Sequence, residues 1–99
     1  MLDYARRAVL VVHGRTLLDL EREDILVAAL LRYLQVIGDA ARRVSPAERE
    51  RHPEIPWQLI NGIRNRIVHE YDELEPEILW RTASDDLPRL VRYLESILP

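Results

Sequence analysis

Cysteine is absent from the 99 residues, which excludes a disulfide framework and any thiolate metal site. Histidine occurs only as His13, His52 and His69, too scattered to close a structural zinc site. Lysine is also missing. All 14 basic residues are arginine, so every cation is a permanent planar donor able to grip a carboxylate or phosphate at two points. No excess of positive charge exists: the net charge of −3 speaks against a global electrostatic hold on nucleic acid and leaves a polyanion only a local site. Repeats and low-complexity runs are lacking. The apolar run Ala8–Val12 is too short to cross a membrane and is not followed by a small-residue cleavage signature, so a cytoplasmic setting is expected.

What is present is the profile of a folded, helix-rich chain. Apolar residues make up 47% and charged residues 31%, with 3 glycines, which argues against a disordered tail. The length allows one domain over residues 1–99, small enough for burial against a second copy to help it. Leu2–His13 reads as a first helix stopped by Gly14, with Val9, Val12 and His13 on its inner side. Arg15–Asp24 is a connector or a further helical turn. From Arg22 to Val44, Leu26, Leu30, Tyr33, Leu34, Ile37, Ala41 and Val44 recur at offsets of three and four, which makes this the central helix. Gly38 inside it costs roughly 1 kcal/mol against alanine and so predicts close approach by a neighbouring backbone. Ser45 and Pro46 form a cap and a first-turn proline for a short helix ending near Arg51. Pro56 opens another helix, and Glu77–Leu98 gives the last one, bent or restarted at Pro88. No strand pattern is found. The expected fold is an all-α, up-and-down bundle of four main helices with one short helix inserted.

The most chemically loaded stretch is Ile55–Tyr71, IPWQLINGIRNRIVHEY. Ile60, Ile63, Ile67 and Tyr71 make one apolar stripe, and Arg64 borders it, within about 20° of Tyr71. His69 points about 140° away from Arg64, beside Asn65. The two side chains therefore do not form a simple pair. Either the helix loosens near His69, or a second copy of the chain brings one side chain to the other.

RNRIVHEY, Arg64–Tyr71, resembles the signature of the HEPN superfamily, and its spacing of arginine, four residues, histidine, one residue and tyrosine is similar to the HepT branch. Flanking segments agree in order: LQVIGDAAR at Leu34–Arg42, RHPEIPW at Arg51–Trp57 and DLPRL at Asp86–Leu90. Asp39 stands where such proteins usually carry glutamate. The resemblance implies a homodimeric, metal-independent endoribonuclease toxin of a type VII toxin–antitoxin pair, with the motif at the dimer interface. It implies a partner, a minimal nucleotidyltransferase antitoxin, that silences the toxin by transferring AMP to the motif tyrosine. ATP and magnesium would be used by that partner, and no cofactor by this chain. Carried over by residue, Arg64 and His69 are the catalytic pair, Tyr71 is the modified residue, and Asn65 and Asp39 support them. The alternative is a non-catalytic helical module that binds a nucleotidyltransferase or a nucleotide.

These roles fit the residue types. Attack by a ribose 2′-hydroxyl needs a group that exchanges protons near neutrality, which histidine supplies, and a fixed cation for the charge building on phosphorus, which arginine supplies. Plainer readings stand beside them. Arg64 can simply pair with a carboxylate such as Asp39, and Tyr71 can be core with its hydroxyl at the rim. His13 and His52 lack a supporting constellation and read as structural; Trp57 and Trp80 read as core or interface anchors. Arg66, and the cluster Arg42, Arg43, Arg49 and Arg51, read first as solvated charge and second as contacts to RNA. The acidic run Asp72, Glu73, Glu75 and Glu77 disfavours nonspecific RNA binding at that end.

Overall fold

A computed structural model describes residues 1–69 and 74–97. Seven α-helices are found in them: α1 (Leu2–Val12), α2 (Leu17–Arg22), α3 (Asp24–Arg42), α4 (Pro46–Arg51), α5 (Trp57–His69), α6 (Pro76–Arg81) and α7 (Leu87–Ile97). The described residues contain no strand. A π-helical turn, Thr82–Asp86, joins α6 to α7, so four long segments carry the bundle: α1, α3, α5 and the α6–α7 unit. The expected all-α bundle is therefore present.

Three local departures from the sequence reading have plain causes. Two short helices are inserted rather than one, because Thr16 starts α2 with a reciprocal cap: its hydroxyl accepts from the Asp19 amide at 3.3 Å while the Asp19 carboxylate accepts from the Thr16 amide at 2.9 Å. The chain then turns extended at Glu23, and the central helix begins at Asp24. On α1 Ala5, Ala8 and Val12 are buried and Val9 packs half-buried against the core, as expected of the two valines, whereas His13 is exposed just beyond the last turn.

The α-helix restarts at Leu87, directly after Asp85 and Asp86, and its second residue is Pro88. Its ring cannot offer an amide to the preceding turn, and in a regular helix it would press on the Ser84 carbonyl. The π turn widens the helix just upstream, with the Leu87 amide donating to the Thr82 carbonyl five residues back. The Thr82 and Ser84 hydroxyls donate to the Ile78 and Trp80 carbonyls at 2.9 and 2.7 Å. The added residue keeps Leu79, Ala83, Leu87, Leu90 and Leu94 on the core side.

Leu20, Leu30, Ile37 and Leu79 are the largest fully enclosed side chains and mark the centre of the core. α3 runs through the middle, packed on α1 along one side and on α5 along another. α4 is tied down by Arg49, whose guanidinium donates to the Ala41 and Arg42 carbonyls at 3.2 and 3.4 Å and lies 6.0 Å from the Trp57 ring centre. That arginine is a clip for the end of α3 rather than a solvated charge. Trp57 donates its indole N–H to the His52 carbonyl at 3.0 Å and fixes the start of α5. His52 takes the structural place expected of it, 3.3 Å from the Tyr93 hydroxyl, which in turn donates to Glu54 at 2.7 Å. That bond holds the Glu54 carboxyl below its ordinary range and raises the Tyr93 phenol.

Candidate active site

α5 is an edge helix whose principal neighbour is α3. Its buried stripe is Ile60 and Ile67, with Ile63 half-buried between them, as the repeat of the isoleucines requires. Gly38 sets how closely the two helices approach. A Cβ placed on it would strike the Arg64 Cβ and lie 2.6 Å from the Arg64 Cγ and 3.5 Å from its Cα. Only a residue without a side chain fits, so the predicted close approach is the crossing of α3 over the root of Arg64.

The next residue on α3 exploits that proximity. Arg64 Nε donates to Asp39 Oδ1 at 2.9 Å, and Arg64 NH1 donates to Asn65 Oδ1 at 3.3 Å. The arginine side chain keeps 19% of its surface exposed and the Asp39 side chain 36%, so the pair sits at the rim, partly dry and open on one side. A carboxylate on Nε fixes the plane of the guanidinium and leaves its outer edge for a ligand.

α5 is regular through His69, which removes the loosened helix as a way for that residue to reach Arg64 within one chain. His69 is exposed on the outer side, about 140° around the helix from Arg64. Gln58, Gly62 and Asn65 share that side with it, and all are exposed. The structure thus brings Asp39, Arg64 and Asn65 together and leaves His69 on the side of Asn65, away from Arg64 and Asp39. Tyr71 lies outside the described residues, as do Asp72 and Glu73 of the acidic run. Glu77 of that run pairs with Arg81 at 2.7 Å.

The larger cavities are elsewhere. A groove of about 390 Å³ runs between α1 and α7, and a cleft of about 250 Å³ lies between the start of α5 and α7, lined by Glu54, Asp86, Arg89 and Tyr93 over an apolar floor. Neither is lined by Arg64 or His69. Asp86, at the π turn, has its carboxyl pushed above the ordinary range by burial and by Asp85, with Arg89 opposing.

An all-helical bundle with an arginine clamped at one helix crossing and a histidine five residues on defines a domain of the HEPN type. Comparison with known proteins carries this to a family. The family model described as Ribonuclease HepT-like matches residues 1–97, and the chain belongs to that family. It is 32% identical over 87 residues to a protein of Caldanaerobacter subterraneus subsp. tengcongensis named "Putative RNase", covering 88% of this chain and 78% of that protein. It is likewise 32% identical over 69 residues to the "Probable ribonuclease HepT" of Thermococcus cleftensis, covering 70% of this chain and 63% of that one. A "Putative RNase" of Methanocaldococcus jannaschii matches with the same identity and coverage. The chain thus spans less than two thirds of the length of the latter two. No solved structure matches. Among the described residues no helix is long and apolar enough to cross a membrane.

Proposed function

We propose that this chain cleaves RNA, with Arg64 and His69 as the catalytic residues and a second copy of the chain completing the site. The observation that carries the reading is the division of α5: Arg64 is held against α3 by Asp39 and Asn65, while His69 stands on the outer face of the same unbroken helix. In cleavage, a proton leaves the ribose 2′-hydroxyl for a histidine nitrogen, and the oxygen attacks phosphorus. The P–O5′ bond breaks, the 5′-oxygen takes up a proton, and the products are a 2′,3′-cyclic phosphate and a 5′-hydroxyl. Arg64 balances the charge on the phosphoryl oxygens through the edge that Asp39 leaves open. This scheme uses no metal.

The need for a second copy follows from direction. A regular helix cannot turn two side chains 140° apart toward one phosphate, so the His69 of one protomer serves beside the Arg64 of its partner. Regulation is part of the reading. A nucleotidyltransferase partner would join Tyr71 Oη to the α-phosphorus of ATP with release of pyrophosphate, placing an anionic AMP two residues from His69. That charge would repel the RNA backbone.

The test mixes two inactive chains. Heterodimers of Arg64→Ala with His69→Ala are expected to regain ribonuclease activity, because one of their two clefts holds an intact arginine and histidine. Activity no higher than in either parent homodimer would refute the shared cleft. For the regulatory arm, mass spectrometry after incubation with a nucleotidyltransferase partner and ATP should find one or more AMP increments at Tyr71, and a Tyr71→Phe chain should escape silencing.

A further inference from the structure

Two carboxylates line the cleft between the start of α5 and α7, and they are in opposite situations. Glu54 is exposed and accepts from the Tyr93 hydroxyl at 2.7 Å. Asp86 is half-buried, seven residues before Tyr93 and so about 10 Å from it along the helix axis on the same side. Among the described residues no hydrogen bond or ion pair reaches the Asp86 carboxylate. Arg89, one helical turn on, acts on it only from a distance. A half-buried charge without a donor is a cost that the chain offsets by no contact of its own. Neither Asp86 nor Arg89 takes part in the site at Arg64.

The rest of the cleft is apolar. Ile55, Pro56, Leu59 and Leu90 form its floor and walls, with Leu59 exposed and Leu90 buried. Asp86 also lines a smaller apolar cavity of about 20 Å³ beneath Ile60 and Ile63, so its carboxylate stands where the two spaces adjoin. Together these features suit a ligand with an apolar stem and a cationic head. The head supplies the donors that Asp86 lacks, and the stem covers Leu59. An anion would meet two carboxylates against one arginine. Among the described residues no group of three or more acidic or histidine side chains converges to hold a metal ion, so the fitting cation is organic. A guanidinium suits a half-buried carboxylate better than an ammonium, because it is less strongly hydrated and donates at two points.

We infer that the cleft between α5 and α7 binds an alkylguanidinium: Asp86 accepts from the guanidinium, and the alkyl stem lies over Leu59 and Leu90 toward Tyr93. The group comes from a free small molecule or from an arginine side chain of a protein partner. The cleft of about 250 Å³ is the size of one long side chain rather than of a nucleotide or a helix. The site goes beyond the ribonuclease reading and does not rest on it.

The experiment titrates the full chain with n-butylguanidinium, n-butylammonium and n-butylurea, read by calorimetry and by the amide NMR signals of Leu59, Leu90 and Tyr93. n-Butylguanidinium should saturate, and n-butylurea, which has the same shape without the charge, should bind at least about tenfold more weakly. Asp86→Asn should weaken the guanidinium about tenfold or more and change the affinity for the urea by less than about twofold. Arg89→Ala should tighten the guanidinium about two- to threefold, because it removes the cation nearest Asp86. No saturation by about 20 mM n-butylguanidinium would overturn the inference, as would an unaltered affinity in the Asp86→Asn chain. Weaker binding in Arg89→Ala would overturn it too, since the cleft would then favour anions. An N-acetylated pentapeptide amide, Gly-Gly-Arg-Gly-Gly, separates the sources. Binding at least as tight as that of n-butylguanidinium supports the site with a partner's arginine as occupant; exclusion of the peptide, with n-butylguanidinium still bound, supports it with a free molecule.

Discussion

Gly38→Ala is expected to destabilise the chain, although alanine is the better helix former in the interior of a helix. At Gly38 the new methyl would overlap the Arg64 Cβ and stand 2.6 Å from its Cγ, where ordinary contacts begin near 3.4 Å. The backbone of α5 cannot be relieved by a side-chain rotation, because the Arg64 Cα itself is 3.5 Å away and the Cβ is fixed to it. α3 and α5 must therefore part. Forcing extra carbon into a packed seam costs about 1–3 kcal/mol, and the better helix propensity of alanine returns about 0.5–1 kcal/mol. The net loss is about 1–2 kcal/mol, seen as a fall of roughly 5–10 °C in the thermal midpoint for a chain of this length. Parting the helices also draws Nε from Asp39, and a displacement of about 1 Å at the cation proposed to bind the phosphate can cost on the order of a hundredfold in rate. Circular-dichroism melting and a cleavage assay on the same preparation read both effects. A double-mutant cycle locates the cause: in an Arg64→Gly background, where the opposing Cβ and Cγ are gone, most of the stability cost of Gly38→Ala should vanish. A Gly38→Ala chain as stable and active as the unsubstituted one, or a cost unchanged by Arg64→Gly, would refute the packing argument.

Two further outcomes follow from other parts of the structure. Asp39→Ala should change stability by less than about 1 kcal/mol, because a half-exposed ion pair contributes little. It should lower kcat well beyond that, and Asp39→Asn, which keeps an oxygen for Arg64 Nε, should recover part of the loss; equal activity in all three chains would remove Asp39 from the site. Asp86→Asn concerns pH. Because burial raises this carboxyl, the folded chain holds the proton to higher pH than the unfolded chain, whose value is about 3.9, so stability falls as pH rises through that interval. The ionised group is a cost at pH 7. The amide should therefore raise the midpoint at pH 7 by a few degrees, about the range given by a fraction of a kcal/mol, and the gain should disappear near pH 3. A gain that is constant across pH would show that the charge is not its cause.

The parts of this molecule that were legible in its sequence are those written as period or punctuation. The α3 stripe from Leu26 to Ala41, the Ser45–Pro46 start of α4 and the isoleucines of α5 all declare themselves by spacing, and each is found where the spacing puts it. Gly38 was readable as a close approach, yet the identity of its neighbour was not, since Arg64 lies 26 residues on and only the packing of α5 against α3 selects it. The α2 cap could have been read from Thr16 and Asp19 three residues apart, but aspartate replaces the longer acid usual in that reciprocal cap and the helix is a turn and a half long. The π turn left no local mark except Pro88, because a proline inside an amphipathic segment signals a disturbance without saying which of several relaxations will absorb it. Arg49 looked like one more surface charge; its role depends on the end of α3 and the Trp57 ring converging on it, and neither is near in sequence.

The division of α5 fits the two roles proposed for its side chains. A group that must stabilise charge on phosphorus gains from being held still, and Arg64 is held by a helix seam at its root and by a carboxylate and an amide at its tip. A group proposed to exchange protons with RNA needs an open approach, and His69 is exposed on the outer side of α5. Placing both on one helix 140° apart keeps the rigid requirement on the inner side and the open requirement on the outer side. The cost is that one protomer cannot bring them to one phosphate. In the proposed dimer a second copy would remove that cost without loosening the seam, so mutations that add bulk at Gly38 should be rescued by changes across the α3–α5 seam and never by changes on the face of His69.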